Sequence, residues 1–184
     1  MAKLRSLHQT KGRKEQNLIL LEGTHLLQEC ERLRLEPQLI CSTDIWAQRH
    51  QYLMQLTPRQ IVSPEVLCAM ASTENPDGVV SLLAMPSDLT SLPQLDLAAK
   101  PLLLALDRVQ DPGNLGTLLR TSLAAGVDQV WLGGGADPWQ PKVLRASAGA
   151  VLQLQLKRWP SLVAGITIAK QSGLQVLAAV QRGG

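Results

Sequence analysis

Aromatic residues and cysteines are scarce in this sequence, and both shortages restrict its architecture. Among the 184 residues there are no Phe, one Tyr and four Trp, so Leu, Ile, Val and Ala must form the core. Three cysteines without CxxC spacing argue against a disulfide framework or a zinc site, and we expect no bound metal. With 45% hydrophobic and 18% charged residues, the chain can nevertheless bury a substantial core.

Long apolar segments are also absent. No apolar run is long enough to cross a bilayer, and the first residues, MAKLRSLHQTKGRKEQ, lack the apolar segment of a secretory signal. We therefore expect a cytoplasmic protein with reduced thiols that does not insert into a membrane.

The N-terminal segment has no acidic residue. Residues 1–14 contain five cations, whereas the net charge of the whole chain is only +3. The segment is either a solvated, frayed terminus or a basic arm that contacts phosphate, and the charges alone favour neither. In the second case the phosphate-binding candidates are Lys11, Arg13 and Lys14.

Apolar runs alternate with segments of helical periodicity along the whole chain. Four buried strands are predicted in the first half: NLILLEG (17–23), PQLICST (37–43), RQIVS (59–63) and VVSLLAM (79–85). A second series of strands follows: LLLALDRV, QVWLGG, VLQLQLKRW and QVLAAV. Because strands and helices alternate at this spacing, we predict an α/β fold built of parallel β-α-β units.

A Pro- and Ser-rich segment without periodicity, PSDLTSLPQLDLAAKP, separates the two series of elements. Such a composition is typical of a linker. We therefore predict two α/β domains, at residues 1–88 and 101–184, joined by a linker at 89–100.

One predicted helix, within DPGNLGTLLR, carries a single charge. Arg120 is the only charged residue from Pro112 to Val127. Asn114 is a suitable N-cap, and Gly116, one turn before Arg120, leaves space beside the guanidinium for another group. The leucines on one arc are expected to face the sheet: Leu115, Leu118, Leu119 and Leu123. From this segment alone, a surface arginine on an amphipathic helix is the simpler explanation.

A second segment, GGGADPWQPKVLRASAGA (133–150), combines glycines at a strand end with a cationic helix start. Lys142 and Arg145 are three residues apart and therefore share a helix face. They form either a solvated cationic face or a phosphate clamp, since the start of a helix favours anions.

The two segments together resemble the first two motifs of the SpoU (TrmH-type) RNA 2'-O-ribose methyltransferases of the SPOUT superfamily. The motif NxGxxxR is present as Asn114, Gly116 and Arg120, and the second motif as PKVLRASAGA. LLEGTHLLQE and STENPDGVV are similar to the substrate-binding domain that precedes the catalytic domain in this family. The resemblance covers nearly all of the chain, and one departure is Asp77, where the family more often has Gln.

The resemblance implies S-adenosylmethionine-dependent methylation of a ribose 2'-hydroxyl in rRNA or tRNA. Residues 1–88 would then bind the RNA substrate, and residues 101–184 would form the catalytic domain. The resemblance places Arg120 beside the target ribose. Because a guanidinium is always protonated and is a poor base, we expect Arg120 to stabilise the developing alkoxide and orient the adjacent phosphate. Asn114 would hydrogen-bond within the active site.

The same resemblance gives the cationic residues a role. Lys11, Arg13 and Lys14 would contact the RNA substrate as a basic arm. Lys142 and Arg145 would contact the RNA backbone or support the homodimer that is typical of the family.

The family's third motif, a Gly- and Glu-containing loop followed by a Leu-Asn-rich helix, has no match in this sequence. In the family this motif threads a trefoil knot and forms most of the cofactor pocket. We therefore expect the cofactor-binding residues mostly beyond Gly184 and very weak binding of S-adenosylmethionine by these 184 residues. Two alternatives stay open: a non-catalytic RNA-binding remnant, and an interaction module in which Arg120 serves a dimer interface.

Overall fold

The first half of the chain forms one mixed β-sheet. The computed structural model describes residues 2–55, 58–87 and 101–180, and the predicted α/β fold class is confirmed. The sheet has the strand order β1-β4-β2-β3 and consists of β1 (Leu18–Glu22), β2 (Leu39–Ser42), β3 (Arg59–Ile61) and β4 (Val79–Ala84). β4 is antiparallel to both neighbours, whereas β2 and β3 are parallel. The predicted parallel pairing is wrong for β4, because alternation along the chain does not fix a strand's direction in the sheet.

Five helices accompany this sheet, with a 3₁₀ helix at Gln51–Gln55. They are α1 (Ala2–Ser6), α2 (Thr10–Gln16), α3 (Thr24–Leu33), α4 (Asp44–Arg49) and α5 (Pro64–Met70). β3 lies at the edge of the sheet and its three residues are exposed. The prediction of a buried strand at 59–63 is therefore wrong, since one side of an edge strand has no neighbour.

The N-terminal residues form two ordered helices rather than a frayed arm. Leu7, which lies between α1 and α2, is fully buried and belongs to the same apolar cluster as Leu20 of β1 and Leu67 of α5. Arg5 Nε donates a hydrogen bond of 2.9 Å to the backbone carbonyl of Ala69. The first two helices are thus part of the folded first half.

The second half forms a parallel sheet in chain order. It consists of β5 (Leu103–Leu106), β6 (Gln129–Leu132) and β7 (Leu156–Arg158). The helices are α6 (Pro112–Ala124), α7 (Pro141–Ala146) and α8 (Leu162–Gln171), with a 3₁₀ helix at Ala150–Leu152. Because this 3₁₀ helix lies at the start of the segment VLQLQLKRW, only the last part of that segment forms the predicted strand. The predicted linker at 89–100 lies outside the described residues.

The segment QVLAAV, predicted as a strand, has no regular secondary structure. Residues 175–180 are exposed, and none pairs with a strand in the part of the chain that the structure describes. A run of apolar residues becomes a strand only when a neighbouring strand accepts its hydrogen bonds, so composition alone led to the wrong prediction here.

Helix α6 is capped by Asp111 and not, as predicted, by Asn114. The Asp111 carboxylate accepts a hydrogen bond of 2.7 Å from the Asn114 N–H, and Pro112 at the first helical position fixes the first turn. The buried residues of the helix are Leu115, Gly116, Leu119 and Ser122. Leu118, which was predicted to face the sheet, is 37% exposed. The buried face of the helix is therefore rotated from the predicted apolar arc towards Gly116 and Ser122.

Gly116 lies where α6 contacts α7. A β-carbon at this position would lie 2.9 Å from the backbone nitrogen of Ser147 and would overlap the β-carbon of Ala146. The glycine therefore allows two helices to pack closely. The prediction that it leaves space beside Arg120 is wrong, because that space is filled by α7.

We expect Gly116→Ala to destabilise the fold by about 1–3 kcal/mol, because the methyl group would force α7 away. In an unobstructed helix the same change would stabilise by ~1 kcal/mol, so the sign of the effect reports on the packing. Denaturant unfolding measures it, with Thr121→Ala at an exposed position of the same helix as the control. A Gly116→Ala protein that is more stable than the wild type would contradict the close helix contact.

The two halves share one hydrophobic cluster. Leu21 of β1 and Leu26 of α3 belong to the same buried cluster as Leu115 of α6, Leu144 of α7 and Val130 of β6. Burial of apolar surface therefore fixes how the two sheets are placed relative to each other.

The described ranges contain neither a membrane-spanning helix nor a metal-binding cluster. No helix there is both long and apolar enough to cross a bilayer. The same residues contain no group of three or more His, Cys, Asp or Glu side chains arranged to hold a metal ion.

Candidate functional site

Asp111 links two of the predicted site residues at the start of α6. One carboxylate oxygen accepts from the Asn114 N–H, and the other lies 3.9 Å from Lys142 Nζ. Both side chains of this ion pair are more than half exposed, so the pair is weak and leaves the ammonium accessible. The Asn114 side chain is exposed at the same end of the helix.

Arg120 is an exposed side chain on α6. Within the described part of the chain, no hydrogen bond or ion pair involves its guanidinium. Arg120 follows Asn114 by six residues, which corresponds to about 9 Å along the helix axis and ~120° around it. A ligand that contacts both side chains must therefore extend along the helix.

Arg145 connects the two halves of the chain. Its Nη1 donates to Glu22 Oε2 at 2.6 Å and to Ser72 Oγ at 3.0 Å, while the Ser72 N–H donates to Glu22 Oε1 at 2.8 Å. Glu22 is only 5% exposed, whereas the Arg145 side chain is 30% exposed. The predicted pair of Lys142 and Arg145 on one cationic face is therefore divided: Lys142 stays on the surface and Arg145 closes a polar network.

Arg13 is buried, which contradicts its prediction as an RNA-binding residue. Its side chain is 1% exposed and donates to the carbonyl of Leu7, to Thr10 Oγ1 and to the carboxylate of Asp137. Arg158 donates to the other oxygen of Asp137 at 3.2 Å. A guanidinium with this burial fixes α2 against the loop after β6 and does not reach a ligand in solvent.

The pKa of the Asp137 carboxyl group depends on its burial and on these neighbours. Burial raises its pKa, but the hydrogen bond and charge of Arg13, the Trp139 N–H and the charge of Arg158 lower it more. The net pKa lies below the ordinary value, so the carboxylate is ionised at neutral pH.

The other two N-terminal cations are accessible. Lys11 and Lys14 are exposed on α2, and Lys11 Nζ lies 3.8 Å from Glu15 in a solvent-exposed pair. An exposed pair of this kind contributes little and does not prevent a contact with phosphate. The basic surface predicted for the N-terminus is thus reduced to these two lysines and the cations of α1.

A cavity at the carboxyl ends of β5 and β6 was not predicted from the sequence. Asp107, Gly133 and Leu162 line this cavity of about 370 Å³. Ligands of open α/β sheets bind at this edge. Arg108, also at the cavity, adopts a left-handed backbone conformation with φ of 48°, which is costly for a residue other than glycine and is often found at functional sites. The only available signal was the position of Asp107 and Arg108 directly after a predicted strand.

Two buried thiols are unsuited to nucleophilic chemistry. Burial, and to a smaller extent the charge of Glu29, raises the pKa of Cys30 to about 12. Burial also raises the pKa of Cys41. Both thiols are therefore protonated at neutral pH and unreactive.

Comparisons with known proteins cover both halves of the chain. Residues 101–184 match the SpoU rRNA Methylase family, and residues 1–81 match the MRM3-like substrate binding domain. An uncharacterized tRNA/rRNA methyltransferase of Synechocystis is 45% identical over 96% of this chain. The 23S rRNA (guanosine(2553)-2'-O)-methyltransferase RlmP of Bacillus subtilis is 30% identical over 98% of it. This chain spans 65% and 69% of the lengths of these two relatives.

Solved structures have the same fold. A crystal structure of an RNA 2'-O ribose methyltransferase superposes with a TM-score of 0.79 and 25% identity, over 94% of this chain and 67% of that one. An AdoMet-bound rRNA methyltransferase from Sinorhizobium meliloti gives a TM-score of 0.68 and 29% identity, over 85% and 60%. The resemblance inferred from the two motifs is therefore confirmed, and the chain belongs to the SpoU rRNA methylase family, with an MRM3-like substrate-binding domain before its SpoU domain.

Proposed function

We propose that this chain is the substrate-binding and catalytic part of an S-adenosylmethionine-dependent enzyme that methylates a ribose 2'-hydroxyl in rRNA or tRNA. The observation that carries the proposal is Arg120, an exposed guanidinium at the arginine of the SpoU motif NxGxxxR on α6. Its donors are directed to solvent rather than to another side chain of the described residues. A polar group in this state is available to a ligand.

The chemistry requires that the 2'-oxygen becomes negative as it attacks. When bound, S-adenosylmethionine would supply the methyl group, whose bond to the positively charged sulfur breaks as its bond to the 2'-oxygen forms. Arg120 stabilises the charge on the oxygen and orients the neighbouring phosphate, because its planar fork of donors matches phosphate oxygens. The hydroxyl proton leaves to that phosphate or to water, since a guanidinium does not accept it. Asn114 hydrogen-bonds to the substrate at the start of α6, and Lys142 contacts the RNA backbone.

The cavity at the carboxyl ends of β5 and β6 suits part of the cofactor. Asp107 Oδ2 forms an exposed ion pair of 3.3 Å with Arg108, so Oδ1 is the oxygen offered to a ligand, and Leu162 and Ile166 form an apolar wall. A β-carbon at Gly133 would lie 2.5 Å from Leu162 Cγ and 3.1 Å from Asp107 Oδ1, so the glycine keeps this wall and the carboxylate in place. The described residues thus fit a partly apolar ligand with polar groups that contact Asp107 and Arg108. We propose that Asp107 and Leu162 contact S-adenosylmethionine and that further contacts come from other segments.

The test is methyl transfer by the full-length gene product. Purified protein, labelled S-adenosylmethionine and unmodified ribosomal or transfer RNA are combined, and the RNA is digested and analysed for 2'-O-methylated nucleosides by mass spectrometry. A 2'-O-methylated product supports the proposal. RNA binding without any transfer would instead support the non-catalytic remnant, and binding of neither RNA nor cofactor would support an interaction module. Sedimentation of the same sample tests the homodimer that we propose for the assembled enzyme.

We expect Lys11→Ala with Lys14→Ala to weaken the salt dependence of RNA binding. Each neutralised phosphate releases counterions, so the loss of two contacts lowers the slope of log affinity against log salt by about 1.4 on single-stranded RNA. Fluorescence anisotropy at several salt concentrations measures the slope. Glu65→Gln, which removes one exposed charge on α5, is the control. An unchanged slope in the double variant would assign these lysines to solvent.

A further inference from the structure

A cleft at the junction of the two halves has no role in the function proposed so far. Its volume is about 280 Å³, and it is lined by the end of β1, the start of α3, the loop at 73–77 and Arg145 of α7. Clefts between two structural units are preferred places for ligands, and useful ones are largely formed before the ligand arrives.

The cleft is held in shape at both ends of its loop. At one end Glu22, Ser72 and Arg145 form the closed network of hydrogen bonds described above. At the other end Asp77 Oδ2 accepts a hydrogen bond of 2.7 Å from the Thr24 N–H at the start of α3. Because both ends are fixed, the loop does not have to be ordered when a ligand binds, and that entropic cost is avoided.

Two side chains retain hydrogen-bonding capacity towards the cleft. Arg145 uses only Nη1 in the network, and its Nε and Nη2 donate to no acceptor among the described residues. Asp77 uses only Oδ2 in the same part of the chain, which leaves Oδ1 as an acceptor. The cleft therefore offers a fork of donors and a carboxylate acceptor.

The charges of the cleft argue against a phosphate as its occupant. One cation, Arg145, stands against the two carboxylates Glu22 and Asp77. A ligand that carries both donors and acceptors and no net charge suits this lining better than an anion. Unpaired RNA bases are such ligands, since their edges are read by hydrogen bonds once they leave the helical stack.

Among the four bases, guanine fits these two groups best. Its N1–H and N2 amino group are adjacent donors that pair with a carboxylate, and its O6 and N7 are the acceptors that arginine binds in a bidentate manner. His25, exposed at the cleft, presents a flat ring on which a base can stack. We propose that this cleft binds one unpaired guanine of the substrate RNA, with Asp77 as acceptor and Arg145 as donor. The proposal rests on the proposed function, since it takes RNA as the substrate.

The experiment compares two short uridine-rich RNAs that differ at one position. One carries a single guanosine, and the other carries inosine, which lacks only the N2 amino group. We expect the wild-type full-length protein to bind the guanosine RNA about 5–150-fold more tightly, the range of one good base contact. In Asp77→Asn, which keeps an oxygen for the Thr24 N–H, we expect this ratio to fall to about 1, because the guanosine RNA loses the contacts of two donors and the inosine RNA that of one.

Asp128→Asn provides a matched control. Asp128 is also exposed and accepts one backbone N–H, that of Leu102, at 2.7 Å, but it lies outside the cleft. In Asp128→Asn, the ratio of the affinities for the guanosine and inosine RNAs should equal that of the wild type. Equal binding of both RNAs by the wild type, or equal weakening of both by Asp77→Asn, would overturn the guanine site and leave the proposed function standing. Failure to bind RNA of any sequence would overturn both.

Discussion

Arg120→Ala is expected to lower the rate of methyl transfer by about 10²–10³ while changing RNA affinity little. The reason is that a donor placed where charge develops acts mainly in the transition state. Arg120 is exposed and bonds to no partner among the described residues, so its removal breaks no contact that holds the fold. The measurement is single-turnover methyl transfer by the full-length gene product, with RNA binding and thermal melting of the same samples.

Arg120→Lys distinguishes a planar fork from a simple positive charge. We expect it to be nearly as slow as Arg120→Ala, because an ammonium on a flexible stem does not reproduce two parallel donors. Thr117→Ala, an exposed change three residues earlier on α6, is the control for effects on the helix. Transfer by Arg120→Ala at nearly the wild-type rate would disprove the role in the reaction. An unfolded Arg120→Ala protein would make the residue structural.

The sequence-based predictions were most accurate for local features. Element types depend on the periodicity of nearby apolar residues, and the strands of the first half, β5, α6, β6 and α7 were found where predicted, whereas α1 and α2 were not predicted. The motif residues Asn114 and Arg120 were also found on one helix with exposed side chains. A few consecutive residues are enough to specify such features.

The predictions failed where distant residues decide the outcome. Arg13 was predicted on a basic arm, but its partner Asp137 is 124 positions away along the chain. Arg145 was predicted on a cationic surface, but its partner Glu22 is 123 positions away. No local pattern indicates that a cation forms an ion pair with a carboxylate in the other half of the fold. The antiparallel direction of β4 was missed for the same reason, since it is set by pairing with β1 and β2.

The buried ion pairs also explain why charge alone overestimated the basic arm. Five cations in residues 1–14 suggested a basic arm, with Lys11, Arg13 and Lys14 as its phosphate contacts. Arg13 is buried in an ion pair with Asp137, and Arg5 donates a hydrogen bond to the backbone carbonyl of Ala69. Arg13 is therefore not accessible, whereas Arg5 stays exposed and keeps its charge at the surface, so the surface available to RNA carries one cation fewer than the sequence suggests.

Asp137→Asn is expected to destabilise the protein by about 3–5 kcal/mol. The change leaves the guanidinium of Arg13, which is 1% exposed, without a balancing charge, and an uncompensated buried charge is costly. Equilibrium denaturation measures the loss. Lys11→Ala, which removes the solvent-exposed pair with Glu15, is the control and should cost no more than ~1 kcal/mol.

A double-mutant cycle separates the charge effect from lost packing. If Arg13→Met is combined with Asp137→Leu, no buried charge is left between the two positions, and we expect the double variant to be more stable than Asp137→Leu alone.

The pH dependence of unfolding in acid is a second measurement of the same pair. Because the folded-state pKa of Asp137 is lowered, its contribution is complete above the ordinary carboxyl pKa of 3.8 and is lost as the pH falls below it. Asp137→Asn should therefore unfold with a weaker pH dependence in this acid range. Additive single effects and an unchanged acid response would show that Arg13 and Asp137 do not depend on each other, and α2 would then be held to the second half by apolar contacts alone.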